Sequence, residues 1–308
     1  MLFCGRTGNN QRNDVTEAEE KRSMRTLPPS LSVELTTRCN YACPFCYGIW
    51  HERPSETAPD RELDVTEWGD ILVECACRGV ESVQFTGGEP LLREDLDAIL
   101  DCARAVGLSV ILYTNGSLLT EERLQSFKQR QVRLATSLPG LASYGTMTGT
   151  NHSPWPVLEA IERAAELDWP MTVGIPLARP NLSEATDLVA AAAFAGASVV
   201  QVGPAMWEGR MRRNTAWMLN ESEWKTAKAA LQVQPKLSQR VVCSEEFFCT
   251  CRTPPGQTPV PWPESAAGCP AGQEFGVLGV SGRYRICLHA TEEYDWRSAV
   301  RSEDPTRD

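Results

Sequence analysis

The chain has 308 residues, a formal net charge of −10 and a hydrophobic fraction of 42%. This length allows one large domain with an appendage. The acidic balance argues against nucleic-acid binding, which needs a basic surface to displace counterions from phosphates. No apolar run approaches the roughly 18 residues that a membrane helix requires. Residues 1–29 are polar and contain no apolar secretory signal, so we predict a flexible N-terminal segment in a cytoplasmic protein.

From residue 30 the chain alternates β-rich runs with helical patterns. The predicted strands cover 31–36, 82–86, 109–113, 132–137, 171–175 and 198–202. The predicted helices cover 66–78, 93–106, 120–130, 153–167, 184–195 and 221–232. Strands that alternate with helices of about a dozen residues indicate βαβ units and a parallel sheet. This α/β pattern fits either a doubly wound sheet or a partial (β/α)6 barrel, and periodicity alone does not separate them.

The character of the chain changes near residue 236. Helical periodicity fades, prolines recur between residues 254 and 270, and five cysteines fall within residues 243–287. Small loop-rich segments of this kind usually need metal or cross-links to hold a shape. We therefore predict an α/β domain over 30–235 and a small cysteine-containing extension over 236–308.

Cysteine is abundant, with 12 residues in the chain. Because no secretion signal is present, metal binding is a better explanation than a disulfide framework. Cys39, Cys43 and Cys46 form a C-x3-C-x2-C run directly after the first predicted strand. A four-iron cluster normally takes four thiolates, so three would leave one iron open for another ligand. On this motif alone, zinc ligands or chance spacing remain alternatives.

A second motif, Gly87-Gly88-Glu89, follows the second predicted strand. Glycines let a backbone approach a ligand closely, and a carboxylate accepts hydrogen bonds from an ammonium group. An ordinary turn would explain this motif if it stood alone.

The two motifs, in this order and each after a strand, resemble those of the radical SAM superfamily. The resemblance implies a partial (β/α)6 TIM-like barrel and a [4Fe–4S] cluster on Cys39, Cys43 and Cys46. The open iron would bind S-adenosylmethionine (SAM), with Gly87, Gly88 and Glu89 at its methionine amine. It further implies SAM contacts for four other residues: Phe45, Asn115, Ser137 and Ile175. Turn chemistry is the alternative explanation for Asn115, and core packing is the alternative for Ile175.

The later cysteines carry one specific pattern, in which Cys269, Gly282 and Cys287 match C-x(9–15)-G-x4-C. The residues between Cys269 and Cys287 predict a β-hairpin around the turn at 281–282. The pattern resembles the start of SPASM and twitch extensions, whose hairpin holds an auxiliary [4Fe–4S] cluster. No cysteine follows Cys287, so we expect one auxiliary cluster of the shorter twitch kind. Its other ligands would come from the preceding cysteines, and a structural zinc site is the alternative: Cys243, Cys249 and Cys251.

The resemblance implies cleavage of SAM to a 5′-deoxyadenosyl radical that abstracts a substrate hydrogen. Enzymes with such extensions mostly modify ribosomally synthesised peptides, so our leading hypothesis is oxidative modification or crosslinking of a peptide. The alternative substrate is an alcohol on a carbohydrate or aminocyclitol. An iron–sulfur carrier without turnover would leave Gly87–Glu89 unexplained.

The expected partners follow from this hypothesis. They are the substrate, an electron donor such as flavodoxin or ferredoxin, and a separate leader-peptide-binding protein. The last is expected because residues 1–29 are too few for a leader-binding module. We expect no nucleic-acid or membrane partner.

Overall fold

The computed structural model describes residues 27–51, 61–232, 241–243, 270–288, 290 and 292–296. Within these residues the strands are β1 (Ser30–Glu34), β2 (Ser82–Thr86), β3 (Ser109–Thr114), β4 (Arg133–Ser137), β5 (Met171–Leu177), β6 (Val199–Pro204), β7 (Val241–Cys243), β8 (Phe275–Leu278) and β9 (Tyr284–Arg285). The α-helices are α1 (Val65–Cys77), α2 (Leu96–Ala105), α3 (Glu121–Gln129), α4 (Tyr144–Thr148), α5 (Trp155–Glu166), α6 (Ala185–Phe194) and α7 (Glu221–Gln232).

The described strands form a single sheet in the order β7-β6-β5-β4-β3-β2-β1-β8-β9. Strands β1 to β7 pair in parallel, each with its neighbour in the chain. A doubly wound sheet would reverse its strand order part-way, whereas β1 to β7 follow one another across the sheet in chain order. The parallel α/β architecture and the partial-barrel prediction are therefore confirmed.

The predicted elements are present with small shifts at their ends. All six predicted strands and all six predicted helices are found, and β7 and the short helix α4 were not predicted. Helix α1 begins at Val65, one residue before its predicted start, with a capping box at Asp64. The Glu67 N–H donates to the Asp64 carboxylate at 2.9 Å, and the Asp64 N–H donates to the Glu67 carboxylate at 2.9 Å.

The core lies between the sheet and the helices. Alternate strand residues such as Leu31, Val33, Val83 and Phe85 are fully buried against the helical layer. The other face of β1 carries Ser30, Ser32 and Glu34. Because β1 to β6 are parallel, the loops that follow them lie together at the carboxyl ends of the strands, where barrels of this kind have their active sites.

The C-terminal hairpin is part of the same sheet. Strand β8 pairs in parallel with β1, with Ser30 opposite Phe275 and Val33 opposite Leu278. Strand β9 pairs antiparallel with β8. The predicted hairpin is confirmed, and it extends the barrel sheet beyond β1. None of the helices in the described ranges has the length and apolar character needed to span a bilayer.

Candidate active site

The three-cysteine loop connects β1 to a short 3-10 helix at Ile49–His51. Cys39 is exposed, Cys43 and Cys46 are half-buried, and none of the three forms a disulfide. Burial, together with the charges on Cys46 and Cys39, raises the pKa of Cys43 to about 12. The three thiols therefore share one electrostatic environment, in which bound cations would stabilise their thiolate forms.

The donor chemistry of these thiols fits an iron–sulfur cluster. A structural zinc site takes four protein ligands, and this loop supplies three cysteines. An iron–sulfur cubane attaches each thiolate to a different iron, so its ligands need not converge on one atom. The donor set of Cys39, Cys43 and Cys46 fits a [4Fe–4S] cluster.

The segment after β6 holds the cysteine loop from one side. The Arg210 N–H donates to the Cys46 carbonyl at 2.9 Å, and Asn214 Nδ2 donates to the Pro44 carbonyl at 3.1 Å. Gly209 makes this approach possible, because a Cβ there would lie 2.4 Å from the Cys46 carbonyl oxygen. On the other side, the Ala42 N–H donates to the Thr148 carbonyl at 3.0 Å. Backbone hydrogen bonds and the Asn214 side chain therefore hold the loop from both sides.

Arg210 also supplies positive charge to the loop. Burial raises the pKa of all three thiols, and the Arg210 charge acts against it at each of them. Burial likewise lowers the pKa of His51 to about 4, with further contributions from Arg210 and Arg213. The His51 side chain is therefore uncharged near neutral pH and does not neutralise negative charge on the thiolates.

The Gly-Gly-Glu motif packs against the start of the cysteine loop. The Gly88 N–H donates to the Thr36 carbonyl at 2.7 Å, and the Glu89 N–H donates to the Arg38 carbonyl at 2.8 Å. A Cβ on Gly88 would lie 2.1 Å from the Arg38 carbonyl oxygen. These glycines are required for backbone contact between two loops, a reason that the sequence did not reveal.

Glu89 is fully buried and joins two strand ends. Its carboxylate accepts hydrogen bonds from the Leu91 N–H at 3.0 Å, the Thr114 hydroxyl at 2.7 Å and the Asn115 N–H at 2.7 Å. Burial raises the pKa of Glu89, and these hydrogen bonds oppose that effect. In this structure the carboxylate is directed at the β3 end. Its expected contact with the SAM amine stays a prediction.

Asn115 lies against the cysteine loop. Its Nδ2 donates to Asn40 Oδ1 at 2.8 Å, and Asn40 Nδ2 donates to Ser117 Oγ at 2.9 Å. The Ser117 N–H in turn donates to Asn115 Oδ1 at 2.9 Å. Asn115 therefore forms a side-chain turn with Ser117 and also contacts the cysteine loop through Asn40.

The remaining predicted SAM contacts have different surroundings. Ser137 is half-buried at the carboxyl end of β4, next to Gly174 of β5. Ile175 is 2% exposed and belongs to the main hydrophobic core, as the packing alternative expects. Phe45 packs against a second, smaller apolar cluster built around Met147, Met211 and Met218. Phe45 therefore anchors the loop, and its role beside a nucleoside stays a prediction.

The structure describes two of the five later cysteines. Cys243 is the last residue of β7, and Cys287 follows β9 and is buried. These strands stand at opposite ends of the strand order. Cys249, Cys251 and Cys269 lie outside the described residues. The auxiliary ligand set therefore stays a prediction.

Sequence reasoning missed a buried charge on the inner face of β1. Glu34 is 2% exposed and pairs with the fully buried Arg285 of the hairpin, with 2.5 Å between Oε2 and Nη2. A glutamate within a predicted strand is the local signal that pointed to it.

Comparison with known proteins identifies the family. A family described as the radical SAM superfamily matches residues 33–190, slightly more than half of the chain. The chain belongs to the radical SAM superfamily. Membership in this superfamily implies a [4Fe–4S] cluster and SAM as cofactors.

Several proteins of similar sequence are named PqqA peptide cyclase. The PqqA peptide cyclase of Bradyrhizobium diazoefficiens is 31% identical over 199 residues, which are 63% of this chain and 50% of that protein. The PqqA peptide cyclase of Streptomyces rochei is 32% identical over 200 residues, covering 62% of this chain and 52% of that protein. The chain thus spans about half the length of these curated relatives.

Solved structures share the fold at low identity. Streptococcus suis SuiB bound to precursor peptide SuiA gives a TM-score of 0.69 at 14% identity, covering 96% of this chain and 71% of that chain. A structure named native anSMEcpe with bound AdoMet and Kp18Cys peptide gives a TM-score of 0.62 at 14% identity, covering 85% and 75%. These likenesses support the partial-barrel fold of this radical SAM chain.

Proposed function

We propose that this chain is a radical SAM enzyme that oxidatively modifies or crosslinks a ribosomally synthesised peptide. The observation that carries the proposal is the three-thiol loop held at the carboxyl ends of a parallel barrel, against the Gly-Gly-Glu turn. When bound, the cluster supplies the electron that cleaves SAM to methionine and a 5′-deoxyadenosyl radical.

The protein residues of this site would bind and orient the cluster and SAM. Cys39, Cys43 and Cys46 would hold three irons, and the backbone contacts from Arg210 and Gly88 keep their loop in place. Asn115 and Ser137 present polar groups at the ends of β3 and β4, where SAM would lie. The barrel sheet would screen the reacting atoms from water, which limits side reactions.

Peptide chemistry is supported by similarity. The relatives with 31–33% identity bear the name PqqA peptide cyclase, and one structural neighbour was solved with its precursor peptide. An oxidation by two electrons needs a second electron acceptor after hydrogen abstraction. We propose that an auxiliary [4Fe–4S] cluster in an extension over 236–308 accepts this electron. Its ligands would be drawn from Cys243, Cys249, Cys251, Cys269 and Cys287.

Two further partners belong to this proposal. A one-electron donor such as flavodoxin or ferredoxin must reduce the first cluster. A separate protein would bind the leader part of the peptide, and the barrel domain of this chain is proposed to cover residues 30–235.

The test uses the full chain, reconstituted anaerobically. The enzyme is reduced in the presence of SAM and of synthetic peptides encoded beside its gene, and products are separated by mass spectrometry. The proposal predicts 5′-deoxyadenosine and a peptide that has lost two hydrogens. The Cys39/Cys43/Cys46→Ala variant should form neither product. Formation of 5′-deoxyadenosine with oxidised carbohydrate and unaltered peptides would contradict the peptide assignment.

A further inference from the structure

The inner face of the sheet contains a buried charged cluster made of Glu34, Arg285 and Glu293. Arg285 is fully buried, Glu34 is 2% exposed, and their ion pair measures 2.5 Å. The two residues are 251 positions apart in sequence. Their contact therefore connects the barrel strand β1 directly with the hairpin strand β9.

The strand register explains how Arg285 reaches Glu34 across β8. Arg285 pairs with Val277, and Val277 pairs with Ser32 of β1. Paired residues project to the same face, and so do residues two apart on one strand. Arg285 therefore crosses the inner face over β8 to the residue two positions after Ser32, which is Glu34.

Gly279 provides the room for the third charge. A Cβ at position 279 would lie 2.6 Å from Glu293 Oε1, so a side chain there would displace that carboxylate. Ser281 Oγ donates to Glu293 Oε2 at 3.2 Å. Burial raises the pKa of both carboxyl groups, and the Arg285 charge opposes this at each. The Arg285 charge thus acts on both carboxylates, and it is Glu34 that forms the ion pair.

Stabilisation of the fold alone does not explain the charged cluster of Glu34, Arg285 and Glu293. Arg285 Nε and Nη1 are buried and have no hydrogen-bond acceptor among the residues that the structure describes. A buried guanidinium with unsatisfied donors costs free energy, and an apolar pair of similar size often stabilises a fold as well or better. Buried ion pairs are instead well suited to select one register among alternatives. Here the register in question is that of the hairpin on β1.

We propose that Arg285 is a positioning residue that fixes the hairpin on β1 through Glu34 and thereby sets the place of the Cys287 thiol. Cys287 lies two residues after Arg285, and Glu34 lies five residues before Cys39. The pair therefore connects the two cysteine groups. The consequence for an iron–sulfur site at Cys287 rests on the proposed function, whereas the placement of the thiol does not.

The first test measures thiol protection in the metal-free full chain. N-ethylmaleimide labelling is followed at each cysteine by peptide mass spectrometry. Cys287 is 9% exposed and Cys75 is fully buried, so Cys75 reports on the remaining fold. We expect Arg285→Met to raise the labelling rate of Cys287 at least about tenfold, because it leaves Glu34 without its partner. Cys75 should stay protected, and Arg285→Lys should restore part of the protection.

Arg283→Met is the control, because Arg283 is an exposed hairpin arginine whose side chain donates to the Glu293 carbonyl at 3.0 Å and not to the Glu34 carboxylate. It should leave Cys287 labelling unchanged. If Arg285→Met unfolds the chain and exposes Cys75, the Glu34→Met/Arg285→Met variant removes the unpaired charge. That variant should fold and still label Cys287 faster than the wild type. Wild-type protection of Cys287 in either folded variant would overturn the proposal.

The second readout is iron content in the Cys39/Cys43/Cys46→Ala background. With native Arg285 we expect this background to retain one cluster, and with Arg285→Met to lose most of it. If the background retains no iron while Arg285→Met still exposes Cys287, the auxiliary cluster is wrong and the positioning role stands. If iron is retained equally with and without Arg285, the positioning role is wrong.

Discussion

The Glu89 carboxylate accepts a hydrogen bond from the Asn115 N–H at 2.7 Å, which joins the ends of β2 and β3 beneath the cysteine loop. Asn115 then contacts Asn40 within that loop at 2.8 Å. The Glu89 side chain thus acts on the cysteine loop through Asn115, and each of the two contacts can be tested separately.

Glu89→Ala should destabilise the apoprotein by about 2–4 kcal/mol, because it leaves the buried Thr114 hydroxyl and Asn115 N–H without their acceptor. Urea unfolding measures the change. Glu94→Ala is the control, because Glu94 is exposed and lies five residues after Glu89. Its free energy of unfolding should stay within about 0.5 kcal/mol of the wild-type value. Equal stability of the two variants would contradict the linking role of Glu89.

Gly88→Ala should reduce both stability and iron content, because its Cβ would lie 2.1 Å from the Arg38 carbonyl oxygen. We expect a loss above about 2 kcal/mol in urea unfolding. Gly69→Ala is the control, since its Cβ would meet only Cys102 Sγ at 3.6 Å, an ordinary contact. Inside helix α1 that change should stabilise by up to about 1 kcal/mol.

Arg210→Gln should make the first cluster harder to reduce. The Arg210 charge opposes the effect of burial on all three thiols, and the same charge would stabilise an added electron. We expect the midpoint potential to fall by on the order of tens of millivolts in an EPR-monitored titration. Arg163→Gln should leave it near the wild-type value, because Arg163 and its partner Glu159 are both substantially exposed on helix α5 and solvent screens their charges. A shift of equal size in both variants would argue against a specific effect of Arg210.

His51 should make stability depend on pH below neutrality. Burial, with Arg210 and Arg213, lowers its folded-state pKa to about 4 from a usual value of 6.5. Between these values the unfolded chain binds a proton that the folded chain does not, so stability falls as the pH drops from about 6.5 to about 4. His51→Gln should reduce this slope by the contribution of one proton in urea unfolding of the apoprotein. An unchanged slope would show that His51 titrates normally.

Much of the barrel could be predicted because its signals are local. Each of the six predicted strands and helices repeats a short pattern of apolar spacing, and the observed bounds differ by only a few residues. Strand β7 was missed because Val241–Cys243 is too short to show a period. The pairing of β8 with β1 could not be predicted, because it joins segments about 240 residues apart and no local pattern encodes it.

The site was predicted less completely than the fold. The Cys39–Cys46 run is recognisable because its spacing is itself the signal. Glu89 carries no local sign of where its carboxylate points, and its partners Thr114 and Asn115 come from another strand. Arg285 looked unremarkable for the same reason, since its partner Glu34 is at the other end of the chain.

The most direct test of the two-cluster account is anaerobic iron and sulfide quantitation with Mössbauer spectra on the Cys39/Cys43/Cys46→Ala variant. The account predicts that this variant retains about four irons as a [4Fe–4S] species while losing SAM cleavage. Retention of no iron, with the wild type holding a single cluster, would contradict an auxiliary cluster in the extension. The electron left after hydrogen abstraction would then need an acceptor outside this chain.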